Sequence, residues 1–257
     1  MKRFIVSLVI ALFFCSCAVF ANTNTFTAGS EVSQTSIFMR YKDISRNWRV
    51  INKMKTQAQN LTNEEKSVIK KYVFGAVRGE DTYLLINCYL RDILQYYVPA
   101  KEITKPLKYR LDYYARSLSV PIAKTKLPQN MILYRGIDEK GMKYLFSDKK
   151  LDTIVNKPVN EVNLAEFKKH IHGAVYVEKG FMSTSYDINC TRQTKFILEV
   201  NAPKNLQAVL MEDLGKKQEK EVIINKGTKW EVTDITIDTS KKTKKDFYRI
   251  KIKFLLK

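Results

Sequence analysis

A pair of glutamates, a pair of serines and an arginine followed by glycine stand out in the second half of the chain as groups able to do chemistry. Glu219-Lys220-Glu221 runs directly into the apolar Val222-Ile223-Ile224. Carboxylates at i and i+2 on a strand edge face one side. There they can stabilise a cationic, oxocarbenium-like centre and handle a proton from a nucleophile; as a bare run of charge they would be a solvated loop. In Gly180-Phe181-Met182-Ser183-Thr184-Ser185 an extended chain points Ser183 and Ser185 to one wall, while Phe181 offers a ring to a planar heterocycle. An ordinary half-buried strand has the same alternation. In Tyr134-Arg135-Gly136 the guanidinium can bind a phosphate through two parallel hydrogen bonds and the glycine lets backbone approach it; a surface arginine would read the same way. Finally, Tyr83, Asn87 and Arg91 recur at i, i+4 and i+8, opposite Leu84, Leu85 and Cys88. That face is either a polar, cationic seat for an anionic nucleotide or a plain solvent face.

The elements that must position these groups follow from periodicity. Apolar residues recur at helical spacing from Asp43 to about Gln57. Thr62-Asn63-Glu64-Glu65 is a capping box before Val68, Ile69, Tyr72 and Val73. Further helices fit Asp81 to Leu94, Pro106 to Leu118 and about Glu161 to His170. Strands are expected at 132–134, 174–177, 196–200, 222–224 and 247–256, where β-branched and aromatic residues cluster. Helices first and mainly strands after is an α+β arrangement. Neither a glycine-rich dinucleotide loop nor a P-loop signature is present.

The chain ends bound its setting. Met1-Lys2-Arg3, an apolar run from Phe4 to Phe14 and small residues up to Ala21 predict a secretion signal over 1–21, too short for a membrane span. Lipid attachment at Cys17 is the less favoured alternative. Residues 22–37 read as a polar leader and 38–257 as one domain with no repeat. Beyond the signal only Cys88 and Cys190 remain, either one disulfide in an oxidising route or two buried thiols. With 45 Lys plus Arg against 26 Asp plus Glu the formal charge is +19, and 45% hydrophobic content excludes a disordered chain. The lysines are spread in pairs such as Lys70-Lys71 and Lys241-Lys242 and lie on no recognisable nucleic-acid motif, so a soluble basic surface is expected, with no specific nucleic acid. His170 and His172 have no third ligand type nearby and read as structural.

Taken in order, the arginine, the serine run and the paired glutamates, with the Tyr83 to Arg91 helix before them, resemble the bacterial ADP-ribosylating toxins of the arginine-serine-glutamate class. These include actin-modifying binary-toxin enzyme components and clostridial Rho-modifying exoenzymes. The resemblance runs from about Asp43 to Leu256 and implies two packed antiparallel β-sheets with helices outside and NAD, as substrate, in the cleft between them, without metal. It implies that Arg135 holds the NAD phosphates, Ser183 props Glu221, Glu221 binds the nicotinamide ribose, and Glu219 helps activate the acceptor. Gly136, Gly180, Phe181 and Ser183, with Tyr83, Asn87, Arg91 and Arg135, would hold NAD; Arg192 is a further guess for a phosphate. The segment Glu212 to Gln218 would meet the target. Relatives that modify asparagine carry Gln where this chain has Glu219, so a host protein arginine is the expected acceptor, on actin or a small GTPase. Either a separate component would deliver it, or host cells would take it up, or it would act outside cells. Transfer to asparagine or nucleic acid, or a non-catalytic basic module of the same fold, are the alternatives.

Overall fold

The computed structural model describes residues 48–77, 80–146, 151–215 and 219–255. The expected signal and leader, and the start of the domain at Phe38, lie outside the described residues.

Helix α1 (Trp48–Gln59) turns Val50, Met54 and Ala58 inward at i, i+4 and i+8. Helix α2 (Asn63–Phe74) starts on the expected capping box: the Thr62 hydroxyl accepts from the Glu65 N–H at 3.2 Å and the Glu65 carboxylate accepts from the Thr62 N–H at 3.0 Å. A two-residue pair, β1 (Ala76–Val77) and β2 (Glu80–Asp81), leads into α3 (Thr82–Leu90). Helix α4 (Lys105–Lys124), capped by Thr104, buries Leu107, Leu111, Ala115, Leu118 and Ile122 against α2 and α3. Each large aliphatic side chain removed from water there contributes about 1.5–3 kcal/mol, enough to hold Pro121 inside the last turn.

Seven of the eight remaining strands are short: β3 (Met131–Ile137), β4 (Val175–Glu178), β5 (Met182–Ser185), β6 (Phe196–Ala202), β7 (Ala208–Leu210), β8 (Glu221–Ile224) and β10 (Asp246–Phe254). The longest, β9 (Thr228–Thr239), forms an antiparallel pair with β10. Three helices absent from the sequence reading or displaced in it, α5 (Glu139–Leu145), α6 (Leu151–Val155) and α7 (Leu164–Ile171), lie between β3 and β4. The first two are a turn or two long and too short to show a period, though Asp138 caps α5 through the Gly141 N–H.

The strands join in one eight-stranded sheet of order β4-β9-β10-β6-β3-β5-β8-β7. The α+β class is as expected. The two expected antiparallel leaves are present as halves of this sheet, β4-β9-β10-β6-β3 and β5-β8-β7, joined through a single residue pair, Tyr134 with Ser185. One departure from pure antiparallel pairing is β10 beside β6, which run parallel. Side chains from both halves, Trp230 and Ile250 from one and Met182 and Val222 from the other, meet in one core. The opposite face of the smaller half, at Val209 and Ile223, packs on α2, α3 and α4 in a second core. Burial on both faces is why Val222-Ile223-Ile224 is apolar without alternation.

Candidate functional site

The junction of the two halves opens into a cleft of about 500 Å³. Its floor comes from β5 and β8, whose antiparallel register sets Ser185 across from Glu221 and Ser183 across from Ile223. Ser183 and Ser185 both line the cleft, together with Thr184 between them. The Ser183 hydroxyl donates to Glu221 Oε1. Glu221 is only 8% exposed, and a carboxylate so far from water needs such a donor. Glu219 also lines the cleft, but it precedes β8. Between the two acids Lys220 takes a left-handed conformation with φ of 47°, so it is a turn and not strand alternation that brings the carboxylates to one cleft.

Arg135 enters from β3, next to the Tyr134 that pairs with Ser185. Its Nη1 is buried and has no hydrogen-bond partner. Burial lowers its pKa, and the neighbouring positive charge of Arg91 adds to that effect. A buried donor without an acceptor costs about 1–3 kcal/mol, and an anion entering the cleft would relieve it. Gly136 lines the cleft as well and donates its N–H to Thr191 Oγ1 at 3.0 Å. A Cβ there would stand 2.0 Å from the Arg192 carbonyl, so only glycine fits. Arg192 reaches the rim, exposed and 3.8 Å from Asp138.

The α3 stripe turns from solvent toward the sheet along its length, with Tyr83 exposed at the cleft mouth and Asn87 buried. Tyr83, Asn87 and Arg91 all line the cleft. Arg91 forks onto Glu178 at 2.9 and 3.0 Å, and Glu178 also accepts the Gly180 N–H at 2.9 Å. Burial pulls the Arg91 pKa down, but the Glu178 charge outweighs it and the net shift is upward. Asn87 is buried; it accepts the Phe181 N–H at 2.8 Å and donates to the Tyr72 hydroxyl at 2.7 Å. Tyr83 meets the Tyr72 ring edge-on at 6.3 Å. Burial pushes the Tyr72 phenol pKa up, so that hydroxyl stays protonated.

Two expected ligand contacts are corrected. Phe181 does not offer its ring to the cleft: it is fully buried in the helical core, edge-on to Tyr72 at 5.7 Å, because its N–H is drawn to Asn87 and the ring falls on the opposite side. Gly180 does not line the cleft either; a Cβ there would lie 2.6 Å from Asn87 Oδ1, so its absence lets α3 approach β5. Sequence reasoning missed Tyr72, Glu178, Cys190 and Thr191. Glu178 ends an apolar strand run just before Gly180, the one local hint that its carboxylate serves a buried cation.

Around the site, Glu212 accepts from the Tyr186 hydroxyl and pairs with Lys55 at 2.7 Å, while 216–218 lie outside the described residues. Cys88 and Cys190 are both free, which settles the two sequence alternatives against a disulfide. Cys190 is only partly buried, at the cleft wall. Among the described residues no group of three metal-ligating types forms, at His170 and His172 or elsewhere.

A cleft with a guanidinium whose buried Nη1 has no partner on one wall and a hydroxyl-braced carboxylate on its floor can hold a phosphate-bearing ligand while stabilising positive charge beside it. Solved structures share this fold. Plx2a, an ADP-ribosyltransferase toxin from Paenibacillus larvae, is 22% identical over 86% of this chain and 100% of its own, with a TM-score of 0.63. C3stau2 from S. aureus, solved with NAD, is 17% identical over 86% and 99%, also at 0.63. C2-I, the enzymatic component of the C2-toxin from Clostridium botulinum, is 20% identical over 80% of this chain and 47% of its own, at 0.58. No curated protein sequence matches the chain. A family model described as ADP-ribosyltransferase exoenzyme matches residues 45–253, on the same fold and around the same cleft, and the chain belongs to that family.

Proposed function

We propose that this chain is a secreted mono-ADP-ribosyltransferase that moves ADP-ribose from NAD to an arginine of a host protein, with actin or a small GTPase as the acceptor class. The observation that carries the reading is the pairing, within one cleft, of the unpartnered buried Arg135 Nη1 with the Ser183–Glu221 hydrogen bond. NAD supplies an N-glycosidic bond to a cationic pyridinium ring, which leaves as neutral nicotinamide with the bonding pair. In this reading Arg135 binds the diphosphate, and Tyr83, Asn87 and Arg91, which line the cleft, help hold NAD. Glu221 faces the ribose and stabilises the positive charge that builds at its anomeric carbon as the bond to nicotinamide breaks. Ser183 keeps that carboxylate aimed by donating to one oxygen, leaving the other for the ribose. Glu219 receives the acceptor guanidinium, orients one nitrogen to form the new C–N bond and takes its proton. The Glu in this position, where asparagine-modifying relatives carry Gln, supports arginine as the acceptor. The N-terminal signal pattern supports export.

The test is nicotinamide release from NAD by wild type and Glu221→Gln, with and without agmatine as a free guanidine acceptor. Expected is release by wild type that rises with agmatine and falls by about a hundredfold or more in the variant, the scale of losing one aimed electrostatic group. Full activity in Glu221→Gln would overturn the site assignment. Release that agmatine leaves unchanged, with label on protein asparagine, would move the acceptor class to amides.

A further inference from the structure

The geometry points to Lys220 and Asp187 as positioning residues that set Glu219 toward the acceptor, independently of the NAD side of the cleft. The inference rests on the transfer reaction proposed above.

Lys220 is one of four non-glycine residues at positive φ among the described residues, the others being Asp92, Asn205 and Lys244. Lysine has no side-chain device that favours this region, and the conformation costs about 1–2 kcal/mol. Three consecutive residues at the end of β5 hold it. Lys220 Nζ stands 2.8 Å from Asp187 Oδ2, and Asp187 is itself buried and fixed by the Asn189 N–H at 3.0 Å. The Tyr186 N–H donates to the Lys220 carbonyl at 3.3 Å, and the ammonium lies 5.9 Å from the Tyr186 ring centre. Ser185 Oγ donates to the Glu219 carbonyl at 2.9 Å. Residues 219 and 220 are therefore pinned through side chain, ring and backbone at once.

The same tyrosine fastens the far end of the segment, since its hydroxyl donates to Glu212, which Lys55 of α1 pairs at 2.7 Å. Without the ion pair, the left-handed turn at Lys220 would have less to hold it, and Glu219 would lose its fixed direction. Glu221 shares Ser185 with this clamp, but its carboxylate is braced apart from the Lys220–Asp187 pair. It is held by the Ser183 hydroxyl and by its place opposite Ser185 in the β5–β8 ladder. The Lys220–Asp187 ion pair therefore supports capture of the acceptor, while the Ser183 hydroxyl supports the carboxylate that acts at NAD.

The experiment compares wild type, Asp187→Asn, Lys220→Gly and Lys220→Arg for two rates measured together. These are nicotinamide release from NAD alone, and label transfer from NAD to agmatine and to total protein of an animal-cell lysate. Lys220→Gly keeps a residue at ease with positive φ but removes the cation, so a folding defect is not built in. In Asp187→Asn and Lys220→Gly, transfer is expected to fall about tenfold to a hundredfold, the scale of a misplaced reacting group, while release stays within about twofold. Lys220→Arg keeps the cation and should keep both rates. Parallel loss of release and transfer, or no loss of either, would overturn the inference. So would a wild type that releases nicotinamide but labels neither acceptor. A wild type that releases none would instead overturn the functional reading itself.

Discussion

At the scale of single residues, Arg135 is the side chain whose placement makes least sense for stability alone. Its Nη1 is buried without an acceptor, and burial with the nearby Arg91 charge lowers its pKa. A residue kept for folding would have been paired or replaced by an apolar one of similar length. Arg135→Met should therefore raise the melting temperature of the unliganded protein, by an amount corresponding to about 1 kcal/mol. The same substitution should remove most of the thermal shift that NAD produces in wild type, because a ligand stabilises only what it binds. Differential scanning fluorimetry with and without NAD reads both effects. A destabilised variant that keeps the full NAD shift would show Arg135 to be a structural residue.

At the scale of elements, α3 is locked to the sheet by one buried ion pair, Arg91 with Glu178, whose side chains are 13% and 4% exposed. Removing one partner leaves the other charge buried and uncompensated, which costs about 3–5 kcal/mol. Glu178→Ala should cost that much in urea unfolding, whereas Glu65→Ala, which removes the carboxylate half of the capping box and its pair with the exposed Lys124, should cost only about 1 kcal/mol. Equal losses would mean that the pair is not what holds α3. These elements also show what the sequence could tell. The capping box, the helical period of α1 and α4 and the apolar runs of β6 and β8 are local signals, and they were legible. So were Arg135 and Ser183, which lie on strands, where spacing fixes their side; both line the cleft with Glu221, whereas Glu219 reaches it through the turn at Lys220. Partners distant in the chain were not: Glu178 is 87 positions from Arg91, and nothing local announces the match. Phe181 was misassigned because alternation alone does not say which core claims a ring at a strand's start. The turn at Lys220 was read as strand because its conformation comes from tertiary contacts with Ser185 to Asp187 and not from lysine's own preferences.

At the scale of the whole molecule, a formal charge of +19 makes every carboxylate a counterweight, and Asp234 and Asp187 are among those tuned low. Burial pushes Asp234 up, but hydrogen bonds from Lys168 and Lys251, both at 3.1 Å, and from the Ile235 N–H overcome it and hold its pKa at about 2. At Asp187 burial is likewise outweighed, by Lys220 and the Asn189 N–H, and the pKa is lowered. A folded-state pKa below the unfolded value of about 3.9 gives stability that is complete above that value and is lost as pH falls through the folded one. Unfolding free energy should thus be level near neutrality and fall between about pH 5 and pH 2. Protonation of the other acids adds self-repulsion over the same range. The two causes separate by salt and by substitution. Added NaCl screens the diffuse repulsion, since the screening length drops to about 3 Å at 1 M, and should recover part of the acid loss in wild type. Asp234→Asn removes the specific part, so the variant should be less stable at pH 7 and show a shallower fall below pH 5, with the two curves converging near pH 2. Parallel curves at all pH values, measured by urea unfolding, would mean that Asp234 contributes through shape alone and that the acid sensitivity belongs to the net charge.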